Sequence, residues 1–358
     1  MSIPTNLQMV GSRGLGGAER WFVRFADALA RHGTRTELAI RAGSALEAID
    51  LPPLPLHRLP FRTVWDPFSR GAVSGLIRRI KPDIVQTYMG RATRLTRLKR
   101  GAGPVHIARL GGYYALHPYL HAHAWIGNTK GLCDWMVQQG LPAKRIFHIY
   151  NFVDSPCPVP AEKIAILRQA LKIPPDAWVM MSAGRFVPVK GHTYLLEALS
   201  LLPAEIQGRP WCLVLLGDGV LEPQLRVQAD QSGVAERLIW AGWQPEPGPY
   251  FQLADLVVFP SLDAETLGNL ILEAWAWSRP LVTARFRGAR EITSHGRDAW
   301  CVPCGDARAL AQGIEQVLRH PALAAELVEG GRKRVQSEFG RGPIMDQYLT
   351  LYRKLAGA

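Results

Sequence analysis

The chain has 358 residues, 47% of them hydrophobic and 20% charged. That balance excludes an intrinsically disordered protein and suffices for roughly two domains without disulfide or metal staples. The formal net charge is +12, all of it in the first half: residues 1–150 hold 21 Lys+Arg against 8 Asp+Glu, and residues 151–358 hold 21 against 22. A basic half is either a solvated surface or one that attracts an anionic surface or partner.

No stretch approaches the roughly 18 consecutive apolar residues of a membrane span. The opening MSIPTNLQMV lacks the basic-then-apolar order of a secretory signal. Cys133, Cys157, Cys212, Cys301 and Cys304 are scattered and odd in number, as for reduced thiols. A cytoplasmic protein is therefore expected.

In chain order, β-rich runs fall at Asn6–Val10, Glu37–Ile40, Asp83–Tyr88, Val105–Leu110, Ala124–Gly127 and Ile146–Ile149. Between the first two, Glu19–Arg31 carries Trp21, Phe22, Phe25 and Leu29 on one face at helical spacing, with Gly33 as an expected cap. The Pro-rich Leu51–Pro60 reads as a stiff surface connection. A second series follows at Val179–Ala183, Cys212–Leu216, Leu238–Ala241, Leu256–Pro260, Leu281–Thr283 and Trp300–Val302. Strands alternating with helical patterns predict parallel sheets covered by helices, so two series predict an α/β protein of two doubly wound, Rossmann-like domains. The join is expected near Asn151–Pro160, where NFVDSPCPVP packs three prolines into ten residues. The expected domains are 1–155 and 156–335, with 336–358 a helix that packs back on the first. The tail Pro321–Leu355 has helical character, interrupted at Gly340, Gly342 and Pro343.

Three segments offer chemistry. Gly11-Ser-Arg-Gly-Leu-Gly-Gly17 lies between the first strand and the first helix, where backbone amides can approach an anion. It fits neither G-x-G-x-x-G nor a Walker loop, and a plain strand–helix turn is the alternative. Gly184-Arg-Phe-Val-Pro-Val-Lys-Gly191 follows the first strand of the second series. Arg185 and Lys190 suit a diphosphate there, unless they are simply solvated cations. In Pro260-Ser-Leu-Asp-Ala-Glu-Thr-Leu-Gly-Asn-Leu-Ile-Leu-Glu273, Glu265 precedes a helix expected over Gly268–Trp277, and Glu273 lies on it. Amides of Gly268, Asn269 and Leu270 would face the loop mouth. A carboxylate suits a sugar diol, although two carboxylates also suit a hydrolytic acid/base pair. No D-x-D motif is present; Asp263-Ala-Glu265 is the nearest match. Cys301-Val-Pro-Cys304 stands without a second pair, and His121 and His123 read as surface residues, so no metal site is expected.

Together these motifs resemble glycosyltransferase family 4, the retaining sugar transferases of GT-B architecture, over nearly the whole chain. The resemblance rests on Gly16-Gly17-Ala18-Glu19, Gly184-Arg185…Lys190-Gly191, Pro260-Ser261, the Glu265…Glu273 pair, and Glu273-Ala-Trp-Ala followed by Arg279-Pro280. It is strongest to bacterial enzymes that extend lipopolysaccharide or related envelope glycans. The resemblance implies two Rossmann-like domains around a cleft and a nucleotide diphosphate sugar donor, with no cofactor and no required metal. It implies that Arg185 and Lys190 bind the diphosphate and stabilise the leaving group, that Glu273 holds the ribose, and that Glu265 faces the donor sugar. Gly268, Asn269 and Leu270 would offer amides, Gly16 and Gly17 would close on the diphosphate, and Trp243 and Gln244 would lie near the base.

Two departures stand out. Thr266-Leu267 replaces a Gly-Phe frequent in the family, and Arg109 stands nearest the place of a family histidine. Arg109 or Tyr113 is then a candidate for touching donor or acceptor. The acceptor expected is a glycan or lipid-linked molecule taken by the basic first domain. RATRLTRLKR (residues 91–100) favours peripheral association with an anionic inner membrane face. The alternatives are a glycoside hydrolase or phosphorylase and a non-catalytic basic binding protein. No RNP-type or zinc-finger pattern points to nucleic acid.

Overall fold

In a computed structural model, which describes residues 4–357, the chain divides into two units. One runs through Asn151 and resumes at Arg341; the other is Phe152–Gly340. The chain passes to the second unit at 151/152, four residues earlier than the composition suggests. It returns at 340/341, five residues later than expected.

The first unit is built on seven parallel strands: β1 (Asn6–Val10), β2 (Thr36–Arg41), β3 (Leu56–Leu59), β4 (Ile84–Tyr88), β5 (Val105–Leu110), β6 (Ala124–Gly127) and β7 (Ile146–His148). Their order is β3-β2-β1-β4-β5-β6-β7, the doubly wound order in which direction reverses between β1 and β4. β1 and β4 are buried along their whole length because helices cover both faces, and the polar Asn6, Gln8, Gln86 and Thr87 within them are hydrogen-bonded. The helix Gly17–Arg31 buries Trp21, Phe22, Phe25 and Leu29, the face its spacing predicts.

β3 corrects the reading of the Pro-rich segment as a connection only. Leu56–Leu59 pairs in parallel with β2, and the Pro55 carbonyl accepts from Leu38 N at 2.8 Å. Proline lacks an N–H but keeps its carbonyl, so it can start an edge strand.

The terminal helix Arg341–Ala356 belongs to the first unit and buries Tyr348 and Tyr352. The Tyr352 hydroxyl accepts from Gln8 Nε2 and donates to Gln86 Oε1, both at 3.0 Å. It precedes no break at Gly342-Pro343; these occupy its first turn, where a missing proline N–H costs nothing. The interruption is at Gly340 alone.

The second unit repeats the design. β8 (Trp178–Ala183), β10 (Arg209–Leu216), β11 (Leu238–Gly242), β12 (Leu256–Phe259), β13 (Leu281–Ala284) and β14 (Trp300–Val302) are parallel in the order β11-β10-β8-β12-β13-β14. β9 (Glu205–Ile206) is an unforeseen addition. It pairs antiparallel with Arg209–Pro210 across Gln207-Gly208, both at positive φ, as a two-residue hairpin requires. Direction reverses between β8 and β12, the place where doubly wound sheets bind ligands beyond their carboxyl ends.

Candidate active site

The two loops that flank this reversal carry the residues singled out in the second unit. The loop after β8 leads through Arg185 to Lys190 and Gly191, and the loop after β12 leads through Ser261 and Glu265 to Gly268. They are tied together by backbone: Leu262 N donates to the Val189 carbonyl at 2.8 Å. Gly191 has φ +67°, and a Cβ there would lie 2.1 Å from the Pro260 oxygen. Only glycine permits that approach.

This closeness brings Lys190 and Glu265 together. Lys190 Nζ lies 2.7 Å from Glu265 Oε2, with both side chains about four-fifths buried. The ammonium also sits 5.3 Å from the centre of the Phe259 ring. The buried Ser261 hydroxyl reaches Glu265 Oε2 at 3.5 Å. Arg185 is exposed, and its guanidinium has no ion pair among the described residues. It remains available to an anion.

The helix Asn269–Ala276 begins at Gly268, which has φ +80° and would place a Cβ 2.6 Å from the Phe286 ring. The turn brings the first amides of the helix, among them Asn269 and Leu270, to the mouth of the loop, where no intrahelical acceptor exists for them. Leu267 is buried at the position where the family often has phenylalanine. Glu273 lies half-buried in the second turn. Asp263 pins the loop from outside, accepting from Arg290 at 2.7 Å and Arg287 at 3.3 Å. Slight burial acts to raise its pKa, but those two hydrogen bonds outweigh it and hold the carboxyl below the usual range. Both acids of the nearest D-x-D-like sequence are therefore engaged by cations.

Trp243 and Gln244 follow β11, two strands from the reversal. Trp243 is exposed, and Gln244 Nε2 donates to the Ala241 carbonyl.

Sequence reasoning missed three groups. His192 is buried at the start of the helix His192–Ser200, edge-on to Phe186. Burial, reinforced by the Lys190 charge, pushes its pKa down to about 4, so it is neutral at physiological pH. Ser261 was visible only as part of Pro260-Ser261. Glu19 is the third, in the first unit. Its carboxylate accepts from Gly16 N at 2.7 Å and from the Ser12 hydroxyl, closing the glycine loop on itself. The S-x-x-E-type spacing from the N-cap at Gly16 to Glu19 was the available signal. The Gly16 amide is thus used within the loop, whereas Gly17 is exposed with open space about it.

The Arg109 side chain is engaged within the first unit. It is buried, donating from Nε to the Tyr348 hydroxyl at 3.0 Å and from Nη2 to Asn151 Oδ1, and it stacks on Trp21. It anchors the terminal helix. Tyr113 is partly buried, edge-on to Trp135. His121 and His123 correct the surface expectation: His123 is buried, and their ring nitrogens meet the backbone carbonyls of Thr93, Thr96 and Leu98. Among the described residues no group of His, Cys, Asp and Glu could hold a metal ion.

Two sheets of Rossmann order, with a cationic loop and a glutamate loop meeting at the reversal of the second, define a GT-B type sugar transferase. The chain belongs to the glycosyltransferases of this kind. Residues 163–334 match the family "Glycosyl transferases group 1" and residues 15–155 match "Glycosyltransferase Family 4". It is 33% identical to the lipopolysaccharide core biosynthesis glycosyltransferase LpsE of Rhizobium meliloti, over 94% of this chain and 95% of that one. Its fold is similar to a glycosyltransferase from Rickettsia africae (TM-score 0.84, 18% identity, 99% of each chain). It is also similar to Anabaena HepE, solved in complex with UDP and glucose (TM-score 0.81, 20% identity, 98% of this chain and 100% of that one).

Proposed function

We propose that the protein transfers a sugar, with retention, from a nucleoside diphosphate donor held by the second unit to a glycan or lipid-linked acceptor taken by the first. The product belongs to lipopolysaccharide or a related envelope glycan. The carrying observation is the Lys190–Glu265 pair at the sheet reversal, its lysine in the same loop as Arg185, which has no ion pair among the described residues.

The chemistry follows from the charges. As the anomeric C–O bond to the diphosphate breaks, negative charge grows on the leaving oxygens. Arg185, Lys190 and the amides at the start of Asn269–Ala276 supply preorganised positive potential there. Lys190 has three donors, so it can keep Glu265 and meet a phosphate oxygen. Glu265 is then oriented toward the donor sugar, and Glu273 toward the ribose hydroxyls. The acceptor hydroxyl forms the new C–O bond on the face the diphosphate leaves, and a departing phosphate oxygen takes its proton. Asp263 and Glu265 are already matched by arginine and lysine, so Arg185 and Lys190, rather than a required metal, neutralise the diphosphate. The basic first unit supports peripheral association with the inner face of an anionic membrane, where a lipid-linked acceptor resides.

A thermal-shift panel of nucleotides and nucleotide sugars, with and without EDTA, tests the donor assignment. A ligand at about 100 times its Kd stabilises by about 2.7 kcal/mol. A selective shift that EDTA leaves unchanged is expected. Product analysis then separates transfer from release of free sugar or sugar 1-phosphate, either of which would overturn the reading.

A further inference from the structure

The loop between β3 and the helix Pro67–Ile80 exposes two large aromatic side chains to water. Trp65 is 70% exposed and Phe68 is 74% exposed. Neither is a remnant of a frayed end. Asp66, between them, caps the helix by accepting from Phe68 N at 3.2 Å and Ser69 N at 3.1 Å. The backbone that presents both rings is therefore fixed.

Arginines surround the rings. The Arg94 guanidinium lies 3.8 Å from the centre of the Trp65 ring. Arg62 and Arg70 are exposed on either side in sequence. Burial, and then the charges of Arg70 and Arg94, push the Arg97 guanidinium below its ordinary pKa. Arg70, Arg94 and Arg97 are thus close enough to repel. Among the described residues none of Arg62, Arg70, Arg94 and Arg97 is in an ion pair, and Asp66, the carboxylate between the two rings, is spent on the cap. Arg97 also lines, with Arg78, Lys81 and Asp83, an open depression of about 700 Å³, and Asp83 is held by Thr5. Residues 58–100 carry 11 Lys+Arg against 2 Asp+Glu. A like-charge cluster without ion pairs among the described residues is relieved by an external anionic surface.

We infer that Trp65 and Phe68 insert into the interfacial layer of an anionic bilayer while Arg62, Arg70, Arg94 and Arg97 bind its headgroups. Trp and Phe with basic neighbours suit the headgroup boundary because their rings are apolar and the flanking cations stay in water. The position serves the reaction proposed above. The loop follows β3 at the carboxyl edge of the first sheet. Arg91 ties it to the glycine-loop end of β1 by donating to the carbonyls of Gly11 (3.3 Å) and Phe61 (3.4 Å). This inference rests on the membrane association in that reading and adds the face that makes it.

The test is co-sedimentation of the full chain with phosphatidylcholine vesicles and with vesicles containing phosphatidylglycerol, at low and high salt. Two variants are compared, Trp65→Ser/Phe68→Ser and Arg70→Gln/Arg97→Gln. Nucleotide thermal shifts serve as the control for folding and for the donor site. The expected result is binding to the anionic vesicles only. The aromatic variant should bind at least about tenfold more weakly, and the arginine variant more weakly by about fivefold per arginine and with less salt dependence. If the wild type binds anionic vesicles and both variants bind equally well, this face is the wrong one and the membrane reading survives. Failure of the wild type to bind any vesicle overturns both. If only the arginine variant is weakened, insertion is overturned. Tighter binding to single-stranded RNA, weakened by the aromatic substitutions while vesicle binding is not, would replace the bilayer with a nucleic acid.

Discussion

The Lys190 ammonium lies 2.7 Å from Glu265 Oε2, so a cation from the loop after β8 is matched by a carboxylate from the loop after β12. The pair binds the two loops across the sheet reversal, and in the proposed transfer it presets the lysine for a phosphate. Lys190→Met and Arg185→Ala are each expected to lower kcat about 10²–10³-fold, the scale for losing one preorganised donor. Glu265→Gln should abolish most transfer yet keep the thermal shift with nucleoside diphosphate, because the cations remain. Unchanged turnover in both cation variants would remove them from the mechanism.

Gly191 makes that pairing possible, and its replacement should be costly. At φ +67° an alanine is strained, and its Cβ would meet the Pro260 carbonyl oxygen at 2.1 Å. Gly191→Ala is expected to destabilise the second unit by at least about 2 kcal/mol and to weaken nucleotide binding with it. Gly17→Ala is the contrast. Nothing lies within 4 Å of a Cβ there, so its stability should change by less than about 1 kcal/mol. Chemical denaturation of the two variants side by side decides this. Equal stabilities would mean that the two loops do not need the close approach.

Much of this was legible in the sequence because it is local. The strand β12 is a continuous apolar run, β1, β4 and β8 are apolar at most of their positions, and the helix Gly17–Arg31 declares itself by its period. The positions of Arg185, Lys190 and Glu265 follow from loops after strands. What escaped is long-range or masked. Proline hid β3, whose pairing uses carbonyls that proline retains. The hairpin of β9 depends on two positive-φ residues, one of them Gln207, a type that seldom adopts that conformation. Arg109 reads as a site residue by its place near the carboxyl end of β5, yet its partner Tyr348 is 239 residues away. His121 and His123 look like polar surface, and only their backbone carbonyl partners reveal that they are built in.

Arg109 should therefore act on stability rather than on sugar transfer. Its buried guanidinium is held by the Tyr348 hydroxyl, Asn151 and the Trp21 ring. Tyr348→Phe removes one acceptor from a buried charge and should cost about 1–3 kcal/mol. Arg109→Met removes the charge and both donors, so loosening of the helix Arg341–Ala356 is expected, read as faster proteolysis after Arg341. The KM for acceptor should stay within about twofold in Tyr348→Phe, since 1.4 kcal/mol is a tenfold change and no contact to substrate is lost. A large KM change at unaltered stability would return Arg109 to the binding site.

His192 gives the second unit a pH dependence of definite sign. Burial, and secondly the Lys190 charge, hold its pKa at about 4, against 6.5 when unfolded. Above pH 6.5 neither state carries the proton, and the neutral imidazole contributes its full packing against Phe186. As the pH falls below 6.5, the unfolded chain takes a proton that the folded chain refuses, so stability drops until about pH 4, where both states are protonated. The integrated loss is about 3 kcal/mol. His106, buried in the first unit, is depressed in the same direction by burial and its histidine neighbours, so the slope of the wild type alone does not isolate His192. The comparison with His192→Gln does. The variant should be less stable at pH 7.5, because a ring packed on Phe186 is lost, and its disadvantage should shrink steadily towards pH 4.5. Melting curves at matched ionic strength measure this. Parallel curves for the two proteins across that range would mean that His192 is solvated and titrates normally in the folded state.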